Sequence, residues 1–369
     1  MPNALVIGSG FSGAAAALLL TQKGIKVTVV ERDPFLGGGC KTHVYGGHPY
    51  TFGPRHFLSP EEKVFEWLHQ YTPMRRIPDH EFLTYVERDP GWYHFPIHQD
   101  DIALMPDQAQ ILQELEARDL GARPGNLEEY WKQAVGPTLY SKFVETYTRK
   151  MWGLQSNTEF DEGTWSIKST PLKRGPKAAW TEAISAFPYA MNGYDDFFDA
   201  AVAGCEVLLG TSVEAFDVDQ HRVKLLGEWR SFDLIISTIP PETLMNNAFG
   251  PLRWMGRELL KIVLPVPEVF PPNVYFLYYA NNEPFTRMVE YKKFYRYEAP
   301  TTLLCLEIPS EKNKLGMYPY PMAKEQAIAR KYFDALPDRV FSIGRAGSYD
   351  YTIGIARAIQ QAMALVEGL

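Results

Sequence analysis

A chain of 369 residues is long enough for two or three domains with a well-buried core. Its 46% hydrophobic and 22% charged content is ordinary for a globular protein, and a formal net charge of −7 argues against a nucleic-acid surface. Three widely spaced cysteines, Cys40, Cys205 and Cys305, suggest neither a disulfide framework nor a zinc site. No histidine pair has H-E-x-x-H spacing, and no apolar run reaches the length that spans a membrane, so the expectation is a cytoplasmic chain with no metal and no membrane partner.

The first forty residues read as strand, glycine turn, helix and strand. Ala4-Leu5-Val6-Ile7 is a short apolar run, Gly8-Ser9-Gly10-Phe11-Ser12-Gly13 follows at once, an Ala/Leu-rich helix runs to about Lys23, and Lys26–Val30 is β-rich and ends on Glu31. Glycines at 8, 10 and 13 allow a tight turn and let backbone approach a pyrophosphate, while the helix N-terminus offers N–H donors. Glu31 stands where a carboxylate binds a ribose hydroxyl, about 20 residues on, which is the context that makes G-x-G-x-x-G informative. A second glycine cluster, Gly37-Gly38-Gly39, follows instead of another helix. This arrangement resembles the FAD-binding start shared by flavin amine oxidases, protoporphyrinogen oxidases and sugar-nucleotide mutases, which makes FAD the expected cofactor, with Arg32, Gly38 and Gly39 beside it.

Farther along, the turn-rich string around Arg55 and His56 leads to a helix from Glu61 to Gln70. Phe82 to Pro96 predicts a hairpin turning at Asp89-Pro90-Gly91. The apolar spacing of Leu112, Leu115, Leu120, Tyr130, Trp131, Val135, Leu139, Phe143 and Tyr147 is helical. Residues 163–188 carry Lys168, Lys173, Arg174 and Lys177 on a segment broken by Pro and Gly, which suits either a mobile loop over phosphate or a solvated loop. The chain returns to the nucleotide fold with a helix over Tyr194–Ala203 and strands at 206–209 and 232–239, and in the FAD enzymes it resembles a residue placed like Val213 lies by the adenine. Runs such as Val274–Tyr279 and Thr302–Leu306 predict a largely antiparallel sheet over about 250–335. Val340–Ile343, Gly344-Arg345 and a helix over 355–366 then bring a second helix N-terminus to the flavin.

Several strings, in order, resemble the UDP-galactopyranose mutase family. Tyr147-Thr148-Arg149-Lys150-Met151-Trp152-Gly153 resembles its Y-T-x-K-x-W-G, and Pro284-Phe285-Thr286-Arg287-Met288-Val289-Glu290 resembles its P-(Y/F)-T-R-x-x-E. Tyr318-Pro319-Tyr320-Pro321 resembles Y-Y-P, and Gly344-Arg345 through Tyr351 resembles G-R-x-x-x-Y-x-Y. The resemblance implies an α/β fold: a Rossmann-like FAD-binding domain (1–80, 189–245, 336–369), a mostly helical domain with a mobile loop (81–188) and an antiparallel β-sheet substrate domain (246–335). It implies an isomerase that interconverts pyranose and furanose forms of a nucleotide-diphosphate sugar through a flavin N5–sugar adduct, without net redox.

The residues implied are Arg287 and a loop cation on the diphosphate, Tyr320 and Tyr351 as phosphate donors, Tyr147, Trp152 and Phe143 around the nucleotide, and Arg345, Tyr351 and Thr352 beside the flavin. Arg174 is the choice for the loop cation, with Lys168 and Lys173 as alternatives. Bland readings stand beside these: Trp152 as core, and Arg287 paired with Glu290. The family's G-P-H-x-F-H appears as Gly53-Pro54-Arg55-His56-Phe57-Leu58, which puts Arg55 against the flavin and leaves the sugar open. Expected partners are a nucleotide sugar, a flavin reductant such as NAD(P)H, and a second copy of the chain through the helical segment. The alternatives are an amine-oxidase-like oxidoreductase and a flavin-binding protein without catalysis.

Overall fold

The computed structural model describes residues 2–161, 171–311 and 318–369. Its first layer is a five-stranded parallel sheet in the order Glu206–Leu208, Lys26–Val30, Asn3–Ile7, Leu234–Ser237, Val340–Ser342. Ala4, Leu5 and Val6 are fully buried, which explains a run without polar alternation: a parallel strand is covered on both faces. One face packs against Phe11–Gln22, and Asp195–Val202 and Ile355–Glu367 pack on that helix in turn, with Ala14 to Ala17 allowing close approach. The other face meets a small antiparallel sheet of Ala215–Asp217, Arg222–Leu225 and Glu228–Ser231.

The second layer is a seven-stranded sheet in the order Tyr318–Pro319, Trp254–Leu264, Thr302–Ser310, Arg287–Glu290, Val274–Tyr279, Glu81–Val86, Gly91–His94. Every pairing is antiparallel except that of Val274–Tyr279 with Glu81–Val86. The predicted hairpin is present, but it extends this sheet instead of joining the helical segment. Its alternation is why: Phe82, Thr84 and Val86 face the buried side, and Val274–Tyr279 completes their pairing. Within the span expected as sheet, Ala323–Asp334 is a helix, built from strong helix formers that bury Ala329 and Tyr332 at helical spacing.

Four helices, Gln108–Glu116, Leu127–Val135, Pro137–Phe143 and Glu145–Trp152, form where the apolar spacing predicted helix; the last two pack on the second sheet and the first two pack on Pro137–Phe143. Among the described residues no helix is long and apolar enough to cross a membrane.

Candidate active site

The glycine turn forms a cradle at the N-terminus of Phe11–Gln22. Gly8 adopts φ +94°, and a Cβ there would stand 2.3 Å from Thr238 Oγ1. A Cβ on Gly13 would meet the Gly8 carbonyl at 1.9 Å, so helix and strand approach only because position 13 has no side chain. At Gly10 a Cβ would meet nothing within 4 Å, and a Cβ on Gly38 would come within 3.9 Å of the Gly10 Cα, so the second glycine cluster lies over the first. Glu31 is buried; its Oε2 accepts from Ser9 N at 2.9 Å and Ser9 Oγ at 2.7 Å, and its Oε1 from Asp33 N at 3.0 Å. Gly344 comes so close to the helix start that a Cβ would lie 2.5 Å from Ser12 Oγ.

These residues fit a dinucleotide, with pyrophosphate at the helix N-terminus and a ribose at Glu31. Val213 packs in the cluster beside Val30, while Arg32 is exposed. The Phe11 ring sits in the core, 4.9 to 5.4 Å from Phe198, Tyr194 and Phe197, so it is the Phe11 backbone that belongs to the cradle.

Between the second sheet and the helices lies a cavity of about 660 Å³. Its floor is one cross-strand row. Glu307 pairs in register with Arg287, Arg287 with Tyr278, and Tyr278 with Thr84. Side chains in register on neighbouring strands share a face, and all four line the cavity. Arg287 Nη2 donates to Glu307 Oε2 at 2.5 Å. Burial works against the Arg287 charge, but Glu307 and the neighbouring phenols outweigh it and hold the guanidinium well above its ordinary value. The pairing of Arg287 with Glu290 does not occur: three positions apart on a strand they face opposite sides, and Glu290 accepts from Val269 N, Phe270 N and Thr302 Oγ1.

The Tyr318 ring is met by two guanidinium groups, Arg257 at 4.6 Å and Arg345 at 5.3 Å from its centroid. Arg55 also lines the cavity, as does Arg357, and Arg55 Nη2 reaches 3.6 Å from a Cβ position on Gly39 in the cradle. Arg55 Nε, Arg287 Nε and Glu307 Oε1 are buried with no hydrogen-bond partner among the described residues; the two N–H donors suit an anionic group and the carboxylate oxygen suits a ligand hydroxyl. Tyr147, Trp152 and Phe143 form the helical wall, with Tyr147 5.3 Å from Tyr278 and Trp152 5.1 Å from Tyr351, ring to ring. His56 lines the cavity while its ring packs on His80 and Phe294. Thr352 lies at the rim, its hydroxyl donating to Asp350 Oδ1 at 2.7 Å.

Two expectations are corrected. Tyr320 is fully buried and does not line the cavity; its hydroxyl is held by the Trp152 carbonyl and Glu311 Oε1, each at 2.7 Å. Tyr318 stands in the cavity instead, because the Tyr-Pro-Tyr-Pro string does not say which ring turns inward. Arg174 is exposed and outside the cavity, Lys173 donates to the Ala178 carbonyl, and Lys168 lies outside the described residues. Sequence reasoning also missed Glu307, Arg257 and Tyr278. The signal for Glu307 was there, a lone carboxylate inside the apolar strand Thr302–Ser310.

Tyr318 has a pH signature. Burial would raise its phenol, but Arg55, Arg287 and Arg257 outweigh burial and bring it down to about 7. Because the folded value lies below the unfolded one near 10, the phenolate's contribution to stability is full above about pH 10, shrinks as the pH falls and is gone below about pH 7. The ultraviolet phenolate titration of the wild type minus that of Tyr318→Phe is expected to show one step near pH 7, moving upward when a nucleoside diphosphate offsets the guanidiniums. A difference spectrum without that step would refute it.

A family model described as UDP-galactopyranose mutase matches residues 142–351, and one for an NAD(P)-binding Rossmann-like domain matches residues 6–71. A probable UDP-galactopyranose mutase of Klebsiella pneumoniae is 23% identical over 392 residues, covering 98% of this chain and 94% of that protein. A dTDP-fucopyranose mutase of Escherichia coli is 24% identical over 375 residues, covering 95% and 94%. Among solved structures, reduced UDP-galactopyranose mutase superposes with a TM-score of 0.83 at 19% identity over 100% of this chain and 95% of that one. Putrescine oxidase bound to putrescine superposes with a TM-score of 0.62 at 13% identity, over 100% and 98%.

Proposed function

The chain belongs to the UDP-galactopyranose mutase family, whose model spans more than half of its 369 residues, and from that membership we propose that it is an FAD-dependent mutase interconverting pyranose and furanose forms of a nucleotide-diphosphate sugar without net redox. The observation that carries this reading is the gathering of Arg55, Arg257, Arg287 and Arg345 over one cavity beside the glycine cradle. When bound and reduced, FAD supplies the nucleophile for the anomeric carbon as the diphosphate leaves.

The chain's own residues do the rest. Gly8, Gly10, Ser12, Gly13, Gly38, Gly39 and Glu31 hold the dinucleotide. Arg287, fixed in direction by Glu307, presents a planar fork to the diphosphate and stabilises the charge that develops on it, with Arg257 beside it. Tyr351, and Tyr318 once the diphosphate offsets the guanidiniums and its phenol takes up a proton, donate hydrogen bonds to phosphate oxygens. Phe143, Tyr147 and Trp152 cover the nucleoside and keep water from the reacting sugar. Arg55 and Arg345 favour the anionic form of the reduced flavin. A cationic amine would meet five guanidiniums lining this cavity, which disfavours an amine-oxidase reaction.

A flavin reductant such as NAD(P)H and a cytoplasmic location belong to the same proposal, in keeping with three free cysteines. So does self-association through the helical segment, where Leu104, Leu112 and Leu120 are exposed. The test is to reduce the purified protein with dithionite, incubate it with UDP-, dTDP- and GDP-hexoses, and separate products by chromatography. An isomer of equal mass is expected only with reduced flavin. No isomer from any donor, with FAD bound, would overturn the mutase reading.

A further inference from the structure

The cavity floor extends beyond the residues that hold the diphosphate, and it has a direction. At the Glu307 end lies the cofactor side: a Cβ on Gly53 would stand 3.4 Å from Glu307 Oε1, and Arg55, two residues on, reaches the cradle. At the opposite end Thr84 pairs in register with Tyr278 on one side and Tyr93 on the other. Both rings meet the helical wall, Tyr278 at Tyr147 (5.3 Å) and Tyr93 at Phe143 (6.1 Å).

Thr84 is 2% exposed and lines the cavity, and its hydroxyl has no hydrogen-bond partner among the described residues. Buried hydroxyls are nearly always paired, because their lost hydration is otherwise uncompensated. A hydroxyl is both donor and acceptor, and so is its natural complement, another hydroxyl. Two strand spacings of about 4.8 Å, roughly 10 Å in all, separate Thr84 from Arg287. That is the reach from a diphosphate to the hydroxyl edge of the ribose attached to it.

Resting on the mutase reading, we propose that Thr84 Oγ1 holds a ribose hydroxyl of the bound nucleotide, so that the nucleoside lies over Glu81–Val86 and the sugar at the Glu307 end beside the cofactor. Thr84 then reads the part of the substrate that does not react.

Three probes bracket the contact: inorganic pyrophosphate, UDP and UDP-galactopyranose, with dTDP and dTDP-fucopyranose as the second nucleotide pair, each titrated by calorimetry against the FAD-loaded protein. In Thr84→Val, nucleoside diphosphate and nucleotide sugar are expected to weaken by the same factor, about five- to tenfold. Pyrophosphate affinity and flavin content should be unchanged, and Thr84→Ser should restore binding. A loss already present with pyrophosphate, a loss confined to the nucleotide sugar, or no loss at all would overturn the assignment. Wild-type protein that binds neither nucleotide pair would overturn the mutase reading together with it.

Discussion

Arg287→Ala is expected to lower kcat/KM for the nucleotide sugar about 10²- to 10³-fold while the protein keeps its FAD. The guanidinium sits in register between Glu307 and Tyr278 on the cavity floor, on a different layer from the glycine cradle, so the flavin loses no contact. A second consequence is separable from the first. Glu307 is 2% exposed, and deleting its partner strands a buried carboxylate, at a cost of about 3 to 5 kcal/mol of stability. Arg287→Ala/Glu307→Gln should recover much of that stability and none of the turnover. Thermal unfolding and steady-state kinetics on the two variants check both halves; turnover near wild type in Arg287→Ala would remove the residue from the diphosphate site.

Gly10→Leu and Gly13→Val are expected to fail differently, although both lie in one motif. At Gly10 a Cβ meets nothing within 4 Å, so the leucine variant should fold and unfold at close to the temperature of FAD-free wild type yet purify colourless, its side chain occupying the pyrophosphate position. At Gly13 the Cβ would overlap the Gly8 carbonyl at 1.9 Å, so the valine variant should lose structure as well as flavin. Flavin absorbance and circular dichroism separate the two outcomes, and full flavin occupancy in Gly10→Leu would relocate the cofactor.

The nucleotide-binding half was legible in the chain because its information is local: an apolar run, three glycines, a helix and an acid fall within some 30 consecutive residues. Arg287, Trp152 and Tyr351 were legible through strings that carry several residues at once. Arg257, Tyr278, Thr84 and Glu307 were not, because each is one residue in a strand whose partners arrive from distant segments. Thr84 meets Tyr278 only through pairing across almost 200 residues, and the same pairing carried the hairpin away from the helical segment. Tyr318 and Tyr320 show a further limit. Two residues apart in one string, they part company because Tyr320 finds Trp152 and Glu311 while Tyr318 meets Arg257 and Arg345.

The interleaved order of the parallel sheet bears on how the protein is made. Its centre pairs Asn3–Ile7 with Leu234–Ser237, and Asp233 N bonds to an Asn3 side chain 230 residues earlier. Lys23 Nζ meets the Val366 carbonyl, 343 residues onward. During synthesis the first strand and helix therefore leave the ribosome long before the strands and the last helix that cover them. Loop closure over such separations is slow, and until it happens the edge of Lys26–Val30 and the alanine face of Phe11–Gln22 stay open to wrong partners. Cofactor capture thus waits on the segment from Val340 onward, whose Gly344 closes against Ser12, and a nascent chain interrupted before Val340 would present half a cradle with nothing to close it.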